Sequence, residues 1–177
     1  MFHLNKRIMN REILFRGRSF SDGGWVFGDL EYERNKGLLG KVRIHTYKED
    51  GGYGRQYLVE SDTVGQFTGL TDKNGAKIFE GDIIRVREYK NLLMDEFFDD
   101  ADRFDLFTLE EIRGELKAEY VSPVAFLEGG FLISSRDDND FDTFLACLFG
   151  DMRRSSPSFE FEVIGNIYDN PELLSTK

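Results

Sequence analysis

The sequence predicts a mainly β protein, built of antiparallel, partly barrel-like sheets of SH3-like character with short helical acidic insertions. Three observations carry this. Residues 63–87, TVGQFTGLTDKNGAKIFEGDIIRVR, read as strand, turn, strand, bend and strand. Residues 41–47 and 159–163 alternate apolar and polar side chains, the period of a half-buried strand. The 177 residues include Phe 17 and only Pro 3, a composition that favours ladders and rarely interrupts them.

Residues 12–16 and 25–30 form the first expected strand pair, joined by the turn chemistry of Ser21-Asp22-Gly23-Gly24. Trp25 and Phe27 alternate with Val26 and Gly28, and the aromatic pair is assigned to the core. Residues 31–40 are polar and glycine-bounded, hence loop. In residues 41–47, Val42, Ile44 and Thr46 face inward, while Lys41, Arg43, His45 and Tyr47 make a wet face. Glu49-Asp50-Gly51-Gly52 turns the chain and residues 55–60 return. In the central stretch, Asp72 opens a tight turn and Gly75 closes it. Glu80-Gly81-Asp82 makes a second bend. Both glycines are expected at positive φ, where a Cβ is penalised.

Beyond residue 90 the period changes. Leu93, Phe97, Ala101 and Phe104 recur at helical steps over residues 91–107, and Thr108 with Glu111 forms a capping box for a second short helix. Residues 115–120, 125–127 and 131–135 are short strands, with a corner at Pro123. Asp140 is the expected cap of a helix marked by Phe141, Phe144, Leu145 and Leu148 and closed by Gly150. Residues 155–158 are linker. Phe159, Phe161 and Val163 form the last strand. Asn170-Pro171 then caps a terminal helical turn on which Leu173 and Leu174 dock. The expected core is Phe15, Trp25, Phe27, Phe67, Ile84, Val86, Phe161 and Ile164, inward and in mutual contact.

Residues 10–177 read as a single domain behind an N-terminal tail, 1–9, with insert-like segments at about 91–113 and 136–158. Met9 is an alternative start, because the strand pattern begins just after it. The charge is uneven. Residues 92–112 hold eight carboxylates and Arg103, net −7, and residues 137–151 hold five carboxylates and no base, net −5. With a total of −10, the remaining residues sum to +2. Such a balance argues against direct binding of nucleic acid through its phosphates. The single cysteine, Cys147, lies in an apolar run and forms no intrachain disulfide, so an oxidising compartment is not implied. No signal-peptide pattern or membrane-spanning run occurs, and the expected location is the bacterial cytoplasm.

Catalytic chemistry finds no constellation. His3 and His45 supply neither a metal set nor a triad. Asp138, Asp140 and Asp142 have the spacing that opens a calcium loop. The sixth position is Thr143 rather than Gly, however, and the twelfth is Phe149 rather than Glu. Asp99, Asp100 and Asp102 point to different sides of a helix, as a solvated face does. Gly17, Gly28 and Gly40 make no phosphate fingerprint. No catalytic, cofactor-binding or metal-binding residue is assigned, no cofactor is implied, and the chain is not read as an enzyme.

The central block, TVGQFTGLTDKNGAKIFEGDIIRV, resembles the signature of the YopX-like family of phage and prophage proteins. Two more blocks match in order: REILFR at 11–16 with WVFGDL at 25–30, and FEVIGNIYDNPELL at 161–174. The resemblance implies a small, mainly β fold encoded by phages and integrated elements, and it carries no catalytic residues. The expected role is an accessory binding or assembly module, self-associating or bound to a host or phage protein. The alternative is an acidic decoy that occupies a host nucleic-acid-binding protein.

Overall fold

A computed structural model describes residues 12–33, 40–91, 113–127, 130–133, 143–144 and 159–175. The protein is mainly β, and the strands of both its sheets are antiparallel. The chain divides into two compact units, Met1–Gly69 and Leu70–Lys177.

The first unit holds β1 (Phe15–Arg18), β2 (Trp25–Tyr32), β3 (Val42–Tyr47), β4 (Tyr53–Val59) and most of β5 (Gly65–Thr71). Their order is β4-β3-β2-β1-β5. An isolated bridge joins Ser19, just past β1, to Val59 at the end of β4. Phe20 N donates to Leu58 O at 3.0 Å beside it. The four strands therefore curl towards one another at that end without closing a barrel. Gly17 permits the curl: a Cβ there would lie 3.0 Å from Val59 Cγ2 and 3.2 Å from Ile44 Cδ1. The core is Val42, Ile44 and Val59, flanked by Phe15, Val26, Leu30, Tyr57 and Val64.

The parity of β2 reverses the expectation for its aromatics. Val26 and Leu30 pack on the core, Gly28 is buried between them, and Phe27 is 47% exposed. Gly28 is the reason. Its Cβ would fall 1.9 Å from the His45 carbonyl oxygen, so β2 presses on β3 where glycine leaves room. That fixes the even residues inward, and period-two alternation turns Trp25 and Phe27 to the other face. Half-buried Trp25 instead carries the Arg16 guanidinium, 4.8 Å above its ring.

The second unit holds the end of β5, β6 (Lys77–Phe79), β7 (Asp82–Asn91), β8 (Arg113–Leu127), β9 (Gly130–Ile133), β10 (Thr143–Phe144) and β11 (Phe159–Asn166). Its sheet runs β10-β9-β8-β7-β11 and is open. Ile78, Ile84, Val86, Val124, Phe131, Ile133 and Phe161 form the core, with Leu70, Tyr120, Phe159 and Val163 against it. The two short strands expected around Pro123 are one long β8. Proline marks the handover within it: residues up to Pro123 pair with β7, and Val124 onward pairs with β9. Ile164, expected inward, is only half-buried because a bulge between Val163 and Gly165 leaves it unpaired.

Both glycine bends are as expected. Gly75 has φ 80° and Gly81 φ 81°. Asp72 Oδ1 accepts the amides of Asn74 at 2.8 Å and Ala76 at 2.9 Å, and Oδ2 accepts that of Val163 at 3.1 Å. Asp82 Oδ2 takes the Phe79 amide at 2.7 Å. Gly81 donates to Val124 O and accepts from Ile167 N. Asp72 thus ties its turn to β11, and the Gly81 backbone ties the second bend to β8 and to the chain after β11.

Helical content is minimal: the described helices are the 3-10 turns Ser61–Thr63 and Pro171–Leu174. Thr143 and Phe144, expected in a helix, pair with Ile133 and Leu132 as strand. Asn170 does not cap the terminal turn with its side chain; Oδ1 instead accepts the Asn166 amide at 3.4 Å. That turn lies against β8 with Leu173 half-buried and Leu174 39% exposed, and it buries no residue fully. Residues 1–11, with the tail, and the helices expected over 92–112 lie outside the described residues. So do the rest of 134–158, including Cys147, and the tip of the loop at 34–39.

Candidate functional site

Two polar surfaces stand out, one in each unit. In the second unit, the outer face of β7, β8 and β11 is a charge ladder. Alternation puts Ile84, Val86, Phe161 and Val163 on the core side, so Arg85, Arg87, Glu160 and Glu162 share the other. Arg87 pairs with Glu119 at 2.6 Å and Glu160 at 2.8 Å, Arg85 with Glu162 at 3.0 Å, and Lys73 with Glu162 at 3.2 Å. Hydrogen bonds donated by Arg87 to Glu119 and Glu160 hold its guanidinium charged to well above its ordinary range. The Lys73 hydrogen bond, joined by that of Arg85, holds the Glu162 carboxyl below its own. Three bases meet three acids, so the face is self-neutralised and fits a cross-strand clamp better than an anion site.

The wet face of the first unit differs. Asp29↔His45 is a β2–β3 partner pair, and Ile44↔Tyr57, His45↔Gln56 and Tyr47↔Tyr53 are β3–β4 pairs. This register gathers Asp29, Glu31, His45, Tyr47, Tyr53 and Gln56. Glu31 Oε2 lies 2.5 Å from His45 Nε2. A carboxylate only accepts, so Nε2 carries the proton. Gln56 Nε2 lies 3.4–3.5 Å from the two ring nitrogens, too far for a strong bond. The Tyr47 hydroxyl donates to Asp29 Oδ2. That hydrogen bond stabilises the neutral phenol and pushes its pKa up to about 12. Tyr47 and Tyr53 stack with centroids 6.1 Å apart, and the His45 and Tyr53 rings form a T-shaped pair at 6.2 Å.

Asp29, Leu30, Glu31, His45, Tyr53, Gly54 and Gln56 line an open groove of about 580 Å³, with Tyr47 beside it. Glycine is required at position 54, because a Cβ would fall 2.5 Å from Thr46 Oγ1. Thr46 sits at the β3–β4 irregularity, its hydroxyl bonded to both backbone groups of Arg55. The groove has carboxylates and rings but no Lys or Arg in its lining. Among the described residues no group of three His, Cys, Asp or Glu is placed to hold a metal ion. Sequence reasoning put His45 and Tyr47 on a wet face but missed their partners, because Asp29 and Glu31 join them only once the β2–β3 register is known. No helix among the described residues is long and apolar enough to cross a membrane.

The family model described as YopX protein matches residues 15–175. The chain belongs to the YopX protein family. Its three signature blocks fall on β1–β2, on β5–β7, and on β11 with the terminal turn. The crystal structure of protein EF1440 from Enterococcus faecalis is similar to this YopX-family chain at 19% identity. That match covers 92% of this chain and 98% of the other, with a TM-score of 0.46. No curated protein matches the sequence.

Proposed function

We propose that this YopX-family chain is a non-enzymatic accessory protein of a phage or prophage, acting by binding or assembly in the cytoplasm of the bacterial host. The observation that carries this reading is the number of large aromatic side chains that the first unit leaves exposed. Phe20, Phe27, Tyr32, Tyr47 and Tyr53 are 47–70% exposed. Large rings raised on a rigid sheet are what protein interfaces are enriched in, and they supply hot spots. β4 adds to this. It ends the strand order, five of its seven residues are exposed, and an edge strand offers backbone groups for pairing with another chain. The partners that fit are a second copy or a host or phage protein. Light scattering over a wide concentration range tests the first: a strict monomer throughout removes self-assembly. Capture from host lysate tests the second, with Phe27→Ser and Tyr53→Ser expected to reduce recovery.

A second reading is favoured by the distribution of charge. Arg43, Arg85, Arg87 and Lys117 are each ion-paired with nearby glutamates, so these framework bases are engaged locally. The net −12 of residues 92–112 and 137–151 is then available to imitate a nucleic-acid backbone and occupy a host nucleic-acid-binding protein. Recovery at low salt of no DNA- or RNA-binding protein would remove this reading.

A further inference from the structure

We propose that the groove formed by β2, β3 and β4 receives an arginine side chain presented by a partner protein. This deepens the binding-module reading and rests on it. The groove still offers carboxylate oxygens as acceptors. Glu31 spends Oε2 on His45, and Asp29 spends Oδ2 on Tyr47. Among the described residues, Glu31 Oε1 and Asp29 Oδ1 accept no hydrogen bond. The two carboxylates are alternate residues of one strand, about 7 Å apart on one face. The groove is thus an acceptor of positive charge, with none of its own from lysine or arginine.

The rings narrow the choice of cation. Tyr53 is stacked on Tyr47 and paired edge-to-face with His45, yet it is 70% exposed, so much of its ring surface is accessible to a ligand. A guanidinium is planar, lies flat on such a ring, and carries five donors in a fixed fork. It can stack on Tyr53 and reach carboxylate oxygens at the same time. A lysine ammonium is a compact, strongly hydrated point charge and gains less from a flat platform. An anion would meet two carboxylates. The −10 charge of the chain draws a basic partner from a distance.

The test uses the full chain, isotope-labelled, titrated with the capped peptide Gly-Arg-Gly and with the same peptide carrying lysine or citrulline. Citrulline keeps the planar shape and removes the charge. Backbone amide shifts should concentrate on residues 29–31, 45–47 and 53–56. The arginine peptide should bind about ten-fold more tightly than the citrulline peptide, as expected for a desolvated cation–π contact plus a charged hydrogen bond. Lysine should fall between them. Glu31→Gln and Asp29→Asn keep an oxygen for His45 and Tyr47; together they should weaken the arginine peptide about ten-fold without lowering the melting temperature. Tyr53→Ala should weaken it further, and Tyr53→Phe should not. Equal affinity for arginine and citrulline, shifts elsewhere, no binding, or an unaffected double variant would each overturn the proposal. A monomeric protein that recovers nothing from lysate but binds the arginine peptide here would overturn the assembly reading instead.

Discussion

Replacing Asp72 tests the join between the central turn and the last strand. Its carboxylate is 7% exposed and accepts three backbone amides, two within its own turn and one, from Val163, across 91 positions of sequence. Burial alone would raise its pKa. The amides of Val163, Ala76 and Asn74 outweigh that and hold the carboxyl below the usual range. Asp72→Asn keeps one oxygen for Asn74 and Ala76 but turns an NH2 towards the Val163 amide, setting donor against donor. The loss is one charged hydrogen bond in a part-buried place, about 1.5–3 kcal/mol. Asp72→Ala also releases the two turn amides. They lie in an exposed turn where water can replace the carboxylate, so the total is about 2–4 kcal/mol. Urea denaturation gives the energies, and amide hydrogen exchange gives the place. In the Asn variant Val163 should lose protection while Asn74 and Ala76 keep it. The pH dependence has a fixed sign. A carboxyl whose folded pKa is depressed stabilises the fold above its unfolded value of about 3.9, and that contribution drains as pH falls through the folded value. Asp72→Asn should abolish this part of the acid sensitivity. An Asn variant within about 0.5 kcal/mol of the parent, below the ordinary worth of such a bond, would refute the reasoning.

Gly75→Ala should destabilise by about 1 kcal/mol through backbone strain alone, because nothing lies within 4 Å of the added Cβ. Gly81→Ala should cost more, because the bend also sets the Val124 and Ile167 hydrogen bonds; unchanged melting temperatures would make both glycines incidental. Phe161→Ala should cost about 3–5 kcal/mol in urea denaturation, since Phe161 is 4% exposed among Ile84, Val86 and Val124. Tyr47 should titrate near 12 in an ultraviolet or NMR titration, and Asp29→Asn should bring it down towards the ordinary tyrosine value of 10.0. Its neutral-form contribution to stability is complete below about 10 and lost as pH rises through the folded value. Replacing residues 92–112 with a four-residue Gly-Ser turn should leave cooperative unfolding intact, because Asn91 and Arg113, at its two ends, are direct cross-strand partners. The shorter connection gains about 1.5 kcal/mol of closure entropy. The net charge falls to −3, favouring aggregation. Loss of cooperativity would show that the segment belongs to a core.

Where local chemistry decides the structure, the residues could be read directly. Asp72 and Gly75 specify their turn within four positions, as Gly81 and Asp82 do their bend. Phe161 and Val163 alternate with Glu160 and Glu162 strongly enough that only one face can be buried. Pro123 marked a change in pairing, although the strand runs through it, because each side of the proline finds a different neighbour. Reading failed where two signals of similar strength pointed in opposite directions. In β2 the aromatic pair Trp25 and Phe27 competed with Val26, Gly28 and Leu30. Hydrophobicity favours the rings. Space favours the glycine, because only residue 28 can approach the His45 carbonyl. At Thr143 and Phe144, helical spacing of apolar residues gave way to two ladder pairs with β9, a tertiary gain that no local window contains.

The inverted face of β2 is also what creates the groove. Had Trp25 and Phe27 gone inward, Asp29 and Glu31 would have followed them by the same alternation and been buried without partners, which is costly for a carboxylate. With Gly28 inward, the acids stand beside His45 and Tyr47, the residues that alternation in β3 had already turned outward. The fold error and the missed site are therefore one error of parity. A single glycine under a neighbouring carbonyl decides both. Gly28→Ala discriminates between them: if crowding at His45 sets the parity, the substitution should destabilise the first unit and broaden the His45 and Tyr47 ring resonances together. Unaltered ring resonances in a folded Gly28→Ala protein would mean that the carbonyl contact does not position the site, and that the carboxylates alone keep this face of β2 in water.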